Sequence, residues 1–399
     1  VGDEGEMHCV PGPLPGAPKG RSAAQRRGDW LTMVALTLVS LGIVLVYSSS
    51  SIRMELKVSD STIILRRQLL WAFLAGCTFL IVRSTGIELL RRHSRLFFGA
   101  TCLLLVAVMV PGISHKIGGA RRWISFSGMN LQPSEIAKIT MVLLVATLVC
   151  ERREKLDSFK EGFMWVVAPV LAIAALVIVE PDFGTASLLV FVGMAMLVVA
   201  GVRWRHLLVS GIPALLGIVG LVLVKGDYVR ARIGAFLKPG SDLAGVGYQV
   251  RQALIALGSG GFWGQGLGAS RQKRLFLPDV HTDFIFALVG EELGFVGAAT
   301  VVGLYGLLVA LGFLAAFRAK DRFSFLVAFG LTLTIGLQAI INIAVATGSM
   351  PPKGIALPLI SFGGSSLMLC AACIGVLVNI AEQGAPEPIS EPIMEEVSA

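Results

Sequence analysis

The chain has 399 residues, of which 55% are hydrophobic and only 15% charged, with a formal net charge of +8 and a mean hydropathy of +0.77. That is too apolar for a soluble fold and long enough for many membrane spans. The positive charge lies on loops, and no soluble basic segment interleaved with aromatics is present, which argues against nucleic-acid binding.

Residues 1–29 are poor in apolar side chains and carry Pro11, Pro13, Pro15 and Pro18, the composition of a disordered tail. No cleavable signal peptide is visible, and the first apolar run is expected to direct insertion. A hydrocarbon layer about 30 Å thick needs roughly 20 apolar residues per helix. Ten runs qualify, near 30–50, 68–84, 96–111, 132–150, 164–180, 185–202, 207–224, 296–317, 325–347 and 363–381. In lipid such runs must be helices, because an open strand leaves backbone groups unsatisfied. The expected architecture is therefore an all-α polytopic membrane domain of ten helices over 30–383, followed by a second disordered tail at 384–399.

Orientation follows from the short loops. With the N-terminus inside, the inner segments carry Arg21, Arg26 and Arg27; Arg83, Arg91, Arg92 and Arg95; Arg152, Arg153, Lys155 and Lys160; Arg203 and Arg205; and Arg318, Lys320 and Arg322. The basic-inside rule then predicts both termini in the cytoplasm. Arg66, Arg67, Arg121 and Arg122 fall on the outer side, as does a long loop at about 225–295 between helices 7 and 8, which is too long to be governed by the rule. Outer cations suit an anionic lipid head group or a pyrophosphate.

Several ionisable groups lie at or inside the spans, where they are costly and tend to be functional. NLQPSEIAK (130–138) puts Glu135 and Lys138 on one face of the fourth span, a spacing that favours a mutually neutralising pair. EPDFGTA (180–186) sets Glu180 and Asp182 at the turn between the fifth and sixth. The long loop contains YVRARIGAFLKPGSD (228–242) and GYQVRQALIALGSGGFWGQGLG (247–268), the latter an amphipathic helix running into glycines. Those glycines lack the strand and the Lys-Ser/Thr ending of a nucleotide loop, so tight packing or a flexible flap is expected of them.

Arg271, Lys273 and Arg274 then precede PDVHTDFIFALVGEELG (278–294). Asp283 stands where the chain turns apolar again. Partial desolvation would make it a better base and nearby cations would oppose that, the setting of a tuned catalytic group. An N-cap for a helix starting at Phe284 is the equally weighted alternative. Between the ninth and tenth spans, GSMPPKGIALPLISFGGSS (348–366) offers Lys353 in a Pro- and Gly-rich loop that fits a segment dipping back into the membrane. There Lys353 suits a phosphate, or a lysine reaching for the interface. Cys370 and Cys373 form a C-x-x-C inside an apolar helix and read as buried small side chains.

Together, ARRWISF with LQPSEIAK (120–138), EPDFGTA (180–186), ALIALGSGGFWGQGLG (253–268), PDVHTDFIFALVGEELG (278–294) and MPPKGIALPLISFGGSS (350–366) resemble the SEDS family of polytopic peptidoglycan glycosyltransferases. The similarity runs from about Trp30 to Gln383 and is closer to the cell-division branch than to the elongation branch. The resemblance implies a ten-helix enzyme of the bacterial cytoplasmic membrane. It would polymerise lipid II into glycan strands at the outer face, at the division septum, beside a class B penicillin-binding protein and other division proteins. It also implies that Asp283 is the general base and undecaprenyl pyrophosphate the leaving group. Candidate cations for that leaving group are Lys353, Arg121, Arg122 and Lys273, in that order. A divalent cation (Mg or Mn) could share the task, although no cluster has metal-ligand spacing. The sequence departs from the family pattern at Asp279, where Glu is common, and at Phe362, where Tyr is. A lipid II flippase using Glu135, Lys138 and Glu180, or a non-catalytic division scaffold, are the alternatives.

Overall fold

The computed structural model describes residues 23–58, 60–110, 114–117, 120–126, 129–209, 246–270 and 282–384, with single positions at 211, 220, 234 and 236. The tails at 1–22 and 385–399, most of the seventh expected span and most of the outer loop lie outside the described residues. Helices α1 (Ala23–Val58), α2 (Ile63–Ser84) and α3 (Ile87–Met109) are followed by strands β1 (Ser114–Ile117), β2 (Ala120–Phe126) and β3 (Met129–Leu131). Then come α4 (Pro133–Glu151), α5 (Met164–Val179), α6 (Phe183–Val199), α7 (Val246–Ser259), α8 (Ile285–Phe317), α9 (Arg322–Ala346) and α10 (Gly364–Gln383).

Among the described residues, eight helices are long and apolar enough to cross a membrane, and α6 is a shorter apolar helix. These nine match all the expected spans except the seventh, of which only the helical start at 204–209 falls among the fully described segments. The chain is a multi-pass membrane protein. The all-α expectation needs correction: β1, β2 and β3 form an antiparallel sheet in that order, between α3 and α4. Trp123, Ile124 and Phe126 of ARRWISF are residue types that favour strands. The first helix is already formed at Ala23, ahead of Trp30. Arg26 and Arg27 extend it past the apolar run, and Gly28 leaves room for Glu382 of α10 to pack on it, at 2.8 Å from where a Cβ would stand.

One end of the described bundle gathers the sheet, the α5–α6 turn, the start of α8 and the loop between α9 and α10. The basic residues of the short connections collect at the other end. Helix α4 is central, with 83% of its most apolar window buried, whereas α2 is peripheral at 11% and lies on α10 and α1. Helix α8 breaks at Gly294 (φ 69°), which separates a short inner piece from the span proper.

Two glycines of GSGGFWGQG, Gly260 and Gly264, are packing glycines. The amides of Gln265 and Gly266 donate to the carbonyls of Glu291 and Glu292, and those of Phe295 and Val296 to Gly261 and Phe262, all at 3.0–3.2 Å. A Cβ on Gly260 or Gly264 would overlap the backbone of the GEELG segment. The run thus splints the break in α8, where the helical ladder is interrupted.

Candidate active site at the sheet end of the bundle

The loop between α9 and α10 does dip into the bundle. Its tip, Leu359–Ile360, lies against Gly42 in the middle of α1, the Ile360 Cα being 2.8 Å from where a Cβ on Gly42 would stand. The Tyr305 hydroxyl, inside α8, donates to the Pro358 carbonyl. Backbone groups at this depth have no water to meet and must be satisfied by the protein. Ser361 answers one such need by accepting from the Leu357 amide at 2.9 Å.

On its way down the loop passes Asp283. The Asp283 Oδ2 is 3.2 Å from where a Cβ on Gly354 would stand, so the carboxylate rests on the residue next to Lys353. Asp283 and Lys353 are both half-buried. Two side chains bind these segments together. Asn342 Nδ2 donates to the carbonyls of Asp283 (2.9 Å) and Ile355 (2.8 Å), and Ser361 Oγ donates to the Thr282 carbonyl at 2.6 Å. Helix α8 begins at Ile285 with Phe284 at its cap position. The cap reading of Asp283 is therefore displaced by one residue.

The α5–α6 turn closes the other side. Asp182 caps α6, accepting from the Thr185 amide (3.1 Å) and hydroxyl (2.9 Å) and from Gln132 Nε2 at 3.3 Å. The Gln132 backbone N–H in turn donates to Ser365 Oγ of α10 at 3.4 Å. Gly184 gives the room in which Ile355 of the dipping loop packs on α6, 3.1 Å from where a Cβ would stand. Segments from five parts of the sequence therefore meet at one end: 120–138, 180–186, 282–284, Asn342 and 350–366.

Of the candidate cations, Lys353 is placed beside Asp283 through Gly354. Arg122 Nε donates to the Glu180 carbonyl at 3.0 Å and its Nη2 to the Pro181 carbonyl, so it ties the sheet to the α5–α6 turn. For Arg121 only the backbone in β2 is described, and Lys273 lies outside the described residues. Glu180 is 2% exposed, and neither carboxylate oxygen has a hydrogen-bond partner among the described residues. Burial, seconded by the negative Asp182 and opposed by Arg122, pushes its carboxyl up to about 8. Glu135 and Lys138 form the expected ion pair at 2.7 Å, both buried. Glu291 and Glu292 accept from Ser270 (2.5 Å) and Ser48 (2.6 Å) respectively. Asn342, Ser361 and Gln132 did not stand out in the sequence. The one available signal was an Asn in the otherwise apolar run IINIAVA, since buried amides in membrane helices tend to bridge segments.

A family model described as "Cell cycle protein" (FtsW/RodA/SpoVE) matches residues 29–385. The chain belongs to this family. It is 39% identical over 352 residues to a protein of Trichlorobacter lovleyi named probable peptidoglycan glycosyltransferase FtsW, covering 88% of this chain and 92% of that one. It is 37% identical over 351 residues to the stage V sporulation protein E of Bacillus subtilis, covering 88% and 96%. Among solved structures, a chain from a study of structural coordination of polymerization and crosslinking by a peptidoglycan synthase complex matches with a TM-score of 0.72 and 28% identity, over 88% of this chain and 96% of that chain. The rod shape determining protein RodA of Thermus thermophilus matches with a TM-score of 0.63 at 28% identity, over 88% and 95%. Family membership covers the membrane bundle and every segment of the site.

Proposed function

We propose that this membrane protein is a peptidoglycan glycosyltransferase that polymerises lipid II, with Asp283 as general base. Its family and the names of its relatives support the enzyme class. The observation that carries the mechanism is the clamp at the sheet end, where Asp283 rests on Gly354 and Lys353 is the next residue. The basic connections at the opposite end support a cytoplasmic placement of that end and an outer placement of the site.

In the reaction, Asp283 accepts the proton of the GlcNAc 4-hydroxyl of the acceptor lipid II. The oxygen attacks the anomeric carbon of the growing strand, a C–O bond forms, and the bond to the pyrophosphate breaks. Undecaprenyl pyrophosphate leaves carrying the developing negative charge, which Lys353 stabilises. Lys353 ranks first among the cations because it adjoins Gly354, against which the Asp283 carboxylate rests. Among the described residues, no group of three or more His, Cys, Asp or Glu side chains could hold a metal ion, and no step is routed through one. The working assembly is a septal one in the cytoplasmic membrane, with a class B penicillin-binding protein that crosslinks the strands and with other division proteins.

The test is polymerisation of lipid II by the purified chain with its transpeptidase partner. Asp283→Ala should abolish polymer. Lys353→Ala should lower turnover by roughly 100-fold, while Arg322→Ala at the opposite end keeps most activity. Normal polymerisation by Asp283→Ala sinks the base assignment. Absence of polymer from the wild type, with lipid II transferred across vesicles instead, favours a flippase. Neither polymer nor transfer leaves a scaffold.

A further inference from the structure

The two segments that carry Asp283 and Lys353 lie outside regular secondary structure. Asp283 is in a turn before α8, and Lys353 and Ile355 lie in the irregular loop after α9. In the chain they are some seventy residues apart. Something must fix their separation, because a misplacement of about 1 Å at reacting groups costs on the order of 100-fold in rate.

Asn342 is the side chain that spans them. It is 1% exposed, near the C-terminal end of α9, and its single amide nitrogen reaches one carbonyl from each segment, Asp283 at 2.9 Å and Ile355 at 2.8 Å. Its Oδ1 is buried with no hydrogen-bond donor among the described residues. The orientation of the amide is therefore set by the two N–H bonds, and the reverse orientation would turn its oxygen on two carbonyl oxygens. A buried polar group in an apolar helix is expensive unless paired, so the chain tolerates Asn342 for what those two bonds do. Ser361 adds a parallel tie between the neighbouring positions, donating to Thr282 at 2.6 Å while accepting from Leu357 at 2.9 Å.

We infer that Asn342 is a positioning residue for the polymerase reaction, setting the distance between the Asp283 turn and the Lys353 loop without touching substrate. This rests on the reading of Asp283 as base. In Asn342→Ala both bonds are lost. In Asn342→Asp the shape is kept, but an oxygen now faces two carbonyl oxygens.

The experiment measures kcat, KM for lipid II and backbone deuterium uptake of peptides covering 352–361, on the full chain with its transpeptidase partner. Both Asn342 variants should lower kcat roughly 10- to 100-fold with KM changed less than about twofold. Deuterium uptake at 352–361 should rise in both, and stay at the wild-type level in Asp283→Ala. Asn342→Ser, which keeps one donor in less volume, should fall between wild type and Asn342→Ala, and it stands in if the other variants do not fold. Unchanged uptake overturns the clamp. Raised uptake with unchanged kcat, or a rise in KM alone, overturns the positioning role. Activity in Asp283→Ala would instead remove the base assignment, while the uptake data would still decide whether Asn342 ties the segments.

Discussion

Replacing Glu180 by Gln should stabilise the protein, and by an amount that depends on pH. Glu180 is 2% exposed, and its carboxylate oxygens have no hydrogen-bond partner among the described residues. Its nearest cation, Arg122, is bonded to the carbonyls of Glu180 and Pro181. Burial, with the Asp182 charge adding to it, raises the carboxyl from 4.5 to about 8. The sign follows from proton counting: between these two values the unfolded chain has released the proton and the folded chain still holds it. Stability contributed at this site is complete below about 4.5, declines as pH rises through the window, and stops declining above about 8. At 1.36 kcal/mol per unit the full loss is roughly 5 kcal/mol, and local relaxation brings the expressed value to about 2–5 kcal/mol. Gln has the same shape and never ionises. Thermal melts of wild type and Glu180→Gln should converge near the acid end, separate by several degrees at neutral pH, and hold a constant gap above about pH 8. A gap that does not change with pH, or a Gln variant less stable at high pH, would refute the reasoning.

Gly294→Ala should be among the most damaging single substitutions outside the site. Its φ of 69° disfavours any Cβ, a Cβ there would overlap Gly264, and a loss of about 3 kcal/mol or more is expected in thermal stability; an unchanged melting temperature would contradict it. Glu135→Gln and Lys138→Met should each cost about 3–5 kcal/mol, because each leaves a buried charge alone, and the double variant should recover most of it. A double-mutant cycle without such coupling would mean the 2.7 Å pair carries no weight. Arg122→Ala should lower the melting temperature, at about 1.5–3 kcal/mol per lost charged hydrogen bond, and leave KM for lipid II nearly unchanged. A rise in KM at wild-type stability would restore Arg122 to the substrate.

Apolar runs made the helices readable, since a span in lipid leaves the backbone no alternative. The turn at Gly294 was less visible because a glycine inside an apolar run carries no mark of its φ. The sheet escaped because its strands are short and its pairing is between segments, which a linear scan for apolar length cannot see. Asp283 was visible as a carboxylate at the edge of an apolar stretch, and Lys353 as a cation among prolines. Their meeting was not, for it depends on Asn342, whose partners are 59 and 13 residues away. Arg122 was read from its charge, yet its bonds go to backbone carbonyls, and nothing in a side chain's charge distinguishes a carbonyl partner from a phosphate.

The depth of the loop after α9 bears on what can move during turnover. Tyr305 is ten residues past Phe295, about 15 Å along α8, and its hydroxyl holds the Pro358 carbonyl. At that level each broken backbone bond costs about 1–3 kcal/mol, since water does not replace it. Asn342, Tyr305 and Ser361 together hold Ile355, Leu357 and Pro358. Releasing the tip would break all three ties at once, and Leu359, at φ 67°, packs on the α1 backbone at Gly42. The loop is therefore a fixed floor beneath Asp283 and Lys353. Under the proposed mechanism, substrate entry and strand advance fall to parts of the protein with fewer buried polar ties, while Lys353, half-buried, sits on the anchored segment.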